Sequence, residues 1–226
     1  MSTLSVEEQD AIHRFVMEHR LSVGLGSNEE ACSIAAINLA LSGELTDTVP
    51  DCMSEVIGLW IINVQDRMPD GLRNDFSWKS LLPFAAGTGR DERAERIRLA
   101  RLHEWIWNKV LPALSPIAER DGVGELWGVM LKKKTGRAAW ETMVRARGSE
   151  LSEVAAIAGW ESEGPVSNRF LRLDTVARTA RTAAISARVL GRSVDADIWN
   201  ETSQRAYDHA WIHFAPADLL KQLIEA

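Results

Sequence analysis

Two cysteines, one run of bases and one pair of histidines are the residues here whose types and spacing bear on chemistry. Cys32 and Cys52 lie 20 residues apart and flank a turn that carries Asp47 and Asp51. Closing that turn would bring the thiols near a carboxylate, so Cys32, Asp47 and Cys52 are the metal candidates. Zinc prefers four ligands, and no close Cys-x-x-Cys pair announces a site; buried structural thiols are the commoner use of such cysteines. A nucleophilic thiol would need a neighbouring base such as His19 or His103. His209 and His213, four apart, share a helix face, but Ala210 stands where a zincin would carry its glutamate.

Lys132, Lys133, Lys134, Arg137, Arg145 and Arg147 are the strongest anion-binding candidates, six bases with only Glu141 among them. Such a run suits nucleic-acid backbone, a nucleotide or anionic lipid, with strongly salt-dependent binding. It equally suits a solvated face. Trp140 within it could stack on a base, although its spacing with Ala139 and Met143 fits a core stripe. Gly87-Thr88-Gly89-Arg90 precedes a helix whose free N–H groups suit a phosphate. It lacks the Gly-Lys-Ser/Thr ending and preceding strand of a P-loop, and Asp91 and Glu92 follow at once, so a structural loop is favoured. No Ser-His-Asp set can be assembled; no catalytic residue is named and no cofactor is implied.

These residues must be positioned by helices. Apolar residues recur at helical spacing throughout, and no segment alternates with the two-residue period of a strand. Ser5 and Glu8 form a capping box opening a helix over Val6 to Arg20. Ser27 and Glu30 read the same way for a second helix that Gly43 closes, and Ser54 opens a third that stops before Met68-Pro69. Leu72 to Phe84 reads as a short helical segment. Over Arg90 to Val110, Ala94, Ile97, Arg101, Trp105 and Ile106 form the expected inner stripe, with Glu95 and Arg98 on the wet face. Further helices are predicted over Gly124–Leu131, Ala138–Arg147, Ser149–Gly159, Val166–Leu190, Asp195–Ala210 and Pro216–Ile224.

The expected fold is all-α, a compact multi-helix bundle of about eight to ten helices. It is read as one helical domain over 1–226, divisible into subdomains 1–112 and 124–226. With 46% hydrophobic residues in 226 the chain can build a core. Its apolar runs are too short to span a membrane, and its acidic N-terminus lacks the pattern of a signal peptide, so a cytoplasmic protein with free thiols is expected. The nine tryptophans fall mostly on apolar stripes and read as core, with a partner surface as the alternative. The net charge of −6 is unevenly spread: residues 1–80 carry −8, 132–192 carry +6 and 193–226 carry −4.

Glu30-Ala31-Cys32-Ser33-Ile34-Ala35-Ala36, Ser42-Gly43-Glu44, Asp47 with Pro50-Asp51-Cys52, Ser54 with Val56-Ile57, and Leu81-Leu82-Pro83 together resemble a poorly characterised helical domain of bacterial and phage proteins. The likeness covers about residues 29–112. It implies a bacterial or viral origin and a shaped Asp47-to-Cys52 corner, and no activity. The leading expectation is a non-enzymatic protein-protein interaction module that binds a protein partner or itself. The alternatives are nucleic-acid or nucleotide binding through 132–147, and an enzyme with a cysteine-based or metal site.

Overall fold

The computed structural model describes residues 4–161, 169–192 and 201–226. These residues are all-α, with 73% helix and 2% strand, because the apolar period is 3.6 almost everywhere. The chain divides into two compact units. One holds residues 1–101 and 216–226, the other residues 102–215. The Pro112-to-Gly124 boundary read from the sequence lies inside the second unit.

In the first unit, α1 (Val6–Glu18) packs on α2 (Ser33–Ser42) and α6 (Leu82–Ala86), α2 packs on α3 (Glu55–Gln65), and the C-terminal α14 (Pro216–Ile224) packs on α3 and α6. Ile12, Val16, Ile34, Ile37, Ile57, Trp60, Ile61 and Leu223 are buried between them. The helix ends follow local chemistry. The Ser5–Glu8 capping box forms, Ser54 Oγ accepts from Ile57 N at 3.1 Å, and Gly43 takes the left-handed φ of 73° that ends α2.

One expected cap moves. Ser27 closes a turn, its Oγ accepting from Glu29 N at 3.2 Å and Glu30 N at 3.4 Å. Glu30–Ala31 then pairs in parallel with Arg20–Leu21, the small strand contact that no alternation foretold. The helix starts only at Ser33, where Cys32 is the N-cap and its Sγ accepts from Ala35 N at 3.3 Å. The predicted Leu72–Phe84 segment resolves into three short helices, α4 (Asp70–Arg73), α5 (Phe76–Lys79) and α6.

The expected inner stripe of α7 (Glu92–Trp105) holds at Trp105 and at Ile106 just beyond it, both buried, and fails nearer the start of the helix. Glu95 and Arg98 are 4% and 3% exposed, whereas Ile97 is 38% exposed. The pair is buried because it is bonded: Arg98 Nη1 meets Glu95 Oε1 at 2.8 Å, Glu95 Oε2 accepts from Val56 N at 3.0 Å, and Arg98 Nε donates to Leu223 O at 3.1 Å. The ion pair ties α7, the start of α3 and the end of α14 into one core.

In the second unit, α7 ends in a π-helical turn, Ile106–Val110, followed by a 3₁₀ turn, Leu111–Leu114, and α8 (Ser115–Arg120). α8 packs on α9 (Gly124–Lys133), α9 on α10 (Gly136–Arg145), α10 on α11 (Leu151–Glu161), α11 on α12 (Arg169–Arg192), and α12 on α13 (Glu201–Phe214). A Cβ at Gly159 would stand 3.0 Å from that of Ala139, so α10 and α11 approach closely. Indoles fill this core, and two of them are satisfied by carbonyls: Trp105 Nε1 donates to Phe214 O at 2.7 Å and Trp127 Nε1 to Leu111 O at 3.3 Å, whereas Trp107 and Trp211 Nε1 have no hydrogen-bond partner among the described residues. The Gly164-Pro165 start expected for α12 lies outside the described residues. Among the described residues, no helix is long and apolar enough to cross a membrane.

Candidate functional site

The second unit holds a cleft of about 690 Å³ whose lining includes Arg120, Arg145, Arg147 and Arg192. Local chemistry builds it. α10 ends at Arg145, Gly148 reverses the chain with φ 93°, and Ser149 Oγ accepts from Leu151 N at 3.2 Å to start α11. The same hydroxyl donates to Asp121 Oδ2 at 2.6 Å, tying the loop to the end of α8. Arg120 and Arg192 come from the last turns of α8 and α12.

The four guanidiniums are not equivalent. Arg120 Nε pairs with Asp121 Oδ1 at 2.9 Å, and Arg192 Nη1 with Glu150 Oε1 at 2.7 Å. Arg145 and Arg147 are exposed at the cleft and make no ion pair or hydrogen bond among the described residues. Burial pushes the Asp121 carboxyl up, and the hydrogen bonds from Ser149 and Arg120 outweigh it, so the group lies below its ordinary pKa and is ionised at neutral pH. The rest of the lining includes Ile117, Val123, Ala146 and Val189, all buried. The arrangement offers charge and paired N–H donors to an anion beside an aliphatic wall.

The six bases picked out from the sequence separate. Arg145 and Arg147 line the cleft; Lys132, Lys133, Lys134 and Arg137 do not. Lys132 and Lys133 project from the last turn of α9, where cations suit the helix dipole. Lys134 caps α9 in a left-handed conformation and bonds Asn108 Oδ1, while Arg137 pairs with Glu141 at 3.2 Å. Arg120 and Arg192 were missed, because nothing in their spacing signals that distant helix ends converge.

The cysteine corner is occupied by structural bonds. Cys32 and Cys52 are buried, and burial raises both thiols. Asp47 is exposed, and no group of three or more His, Cys, Asp or Glu among the described residues could hold a metal ion. His19 Nδ1 lies 2.8 Å from Phe15 O. The Gly87–Arg90 loop also faces inward. Gly89 N donates to Cys52 O at 2.8 Å, Thr88 Oγ1 accepts from Ser54 N at 3.0 Å, and Arg90 reaches the carbonyls of Val49 and Met53 and the Asp51 carboxylate. Its donors brace the 49–54 corner. Trp60, Trp78, Trp105, Trp107, Trp127 and Trp211 are core, and Trp140 is 59% exposed.

Compared with protein-family models, curated proteins and solved structures, the chain matches none.

Proposed function

We propose that the protein binds a phosphate-bearing ligand in the arginine cleft. The observation that carries this reading is the pair Arg145 and Arg147, without an ion-pair partner among the described residues, at a cleft that Arg120 and Arg192 also line. A guanidinium offers a planar fork of donors that matches a phosphate and stays charged at any working pH. The role is binding rather than catalysis. Among the described residues the lining holds no histidine, cysteine or lysine, and the Ser149 hydroxyl donates its hydrogen bond to the ionised Asp121. The test is calorimetric titration of wild type and an Arg145→Glu/Arg147→Glu variant with pyrophosphate and with a single-stranded 20-mer at low salt. Binding of either probe that falls at least tenfold in the variant supports the reading. Absence of binding to both, or binding indifferent to the two charges, refutes it.

A second reading, docking of a protein partner, is favoured by an apolar surface on the first unit. Phe76 and Phe84 are 71% and 57% exposed, Val6 is exposed as well, and α1 packs on both α5 and α6. Aromatic side chains left in water are typical anchors of interfaces. Sedimentation of wild type against Phe76→Ser/Phe84→Ser distinguishes self-association through this face from a monomer.

A further inference from the structure

Resting on the anion-binding reading, we infer that the ligand is a small phosphate monoester with an aliphatic body, and not a polynucleotide. Four properties of the cleft point the same way. Its volume of about 690 Å³ falls in the range of roughly 300–1,000 Å³ that takes small molecules. A strand of nucleic acid needs a basic track several nucleotides long. Lys132, Lys133, Lys134 and Arg137 do not extend the cleft into such a track, since none of them lines it.

Among the described residues the lining also lacks an aromatic ring on which a base would stack. Ile117, Val123, Ala146 and Val189 stand there instead, surfaces that suit methylenes. Charge agrees as well. Among the described lining residues, four arginines set against Asp121 and Glu150 leave an excess of two positive charges, and a phosphate monoester carries about −1.5 to −2 near neutral pH.

The guanidiniums divide the work. Arg145 and Arg147 have no partner to give up among the described residues, so they take the phosphoryl oxygens. Arg120 and Arg192 keep their carboxylates, so each half-exposed pair is close to neutral and the excess positive charge is that of Arg145 and Arg147. Asp121, bonded by both Arg120 and Ser149, fixes the loop that presents Arg147. Arg145 and Arg147 are thus the specificity residues for the head group, and the aliphatic wall selects the body.

The deciding experiment titrates the full chain with methyl phosphate, n-hexyl phosphate and a single-stranded 20-mer, in wild type and in Arg145→Met/Arg147→Met. Melting temperature is followed as a check on folding. Each methylene that leaves water raises affinity about fourfold, so hexyl phosphate is expected to bind at least about tenfold more tightly than methyl phosphate. Both are expected to weaken tenfold or more in an equally stable variant. Equal affinity for the two esters overturns the aliphatic body. Arginine-dependent binding of the 20-mer without binding of either ester overturns the small ligand and leaves the anion-binding reading standing. Failure of all three probes sinks both.

Discussion

Replacing Arg98 by methionine removes one buried cation of the first unit at nearly constant volume. The change removes an ion pair of 2.8 Å to Glu95 and donors to Leu223 O at 3.1 Å and Gly89 O at 3.4 Å. The Glu95 carboxylate stays 6% exposed, with Val56 N at 3.0 Å still donating to it. Removing one partner of a buried pair costs about 3–5 kcal/mol, because the remaining charge is uncompensated. The same loss is about a hundredfold to several thousandfold in the folding constant. The double variant Glu95→Gln/Arg98→Met carries no buried charge at these two positions and is expected to recover about half of the loss. Arg137→Met breaks an exposed i,i+4 pair and is expected to cost at most about 0.5 kcal/mol. Urea unfolding, followed by tryptophan fluorescence and far-ultraviolet dichroism, reads all three, and the two units are fitted separately if they unfold separately. An Arg98→Met variant within about 1 kcal/mol of wild type would refute the argument that this pair holds α3, α7 and α14 together.

Two more outcomes follow from titrating groups. Burial lowers the His103 pKa, Glu104 opposes this by less and Lys134 adds to it, and the His103 Nε2 has no hydrogen-bond partner among the described residues. The unfolded chain therefore takes up a proton near pH 6.5 that the folded chain refuses. Stability is expected to fall as pH drops below about 6.5, by at most about 1.4 kcal/mol per unit from this group, and His103→Gln should flatten that slope in unfolding curves taken from pH 7.5 to 5. Burial raises both thiols, so alkylation by iodoacetamide at pH 8 should be slow in the native protein and complete in urea; native thiols as fast as free cysteine would reopen the case for a reactive Cys32.

What could be read from the order of residues is what is settled within a turn or two of chain. The 3.6-residue apolar period made the helices, and the caps at Ser5, Ser54 and Gly43 stand where the sequence places them, since a cap bonds a partner only three or four residues away. Pro216 likewise opens α14. The same local rules misplaced Cys32 and the first half of the inner face of α7. Glu30–Ala31 is claimed by a strand partner ten residues back, and Glu95 and Arg98 are tolerated inside because Val56 N and Leu223 O lie far off in sequence and close in space. The cleft was half legible. Arg145 and Arg147 stood out as a local excess of charge, whereas Arg120 and Arg192 joined them only through packing. A helical period encodes which face is apolar, and the meeting of distant helix ends is decided by which faces bury one another.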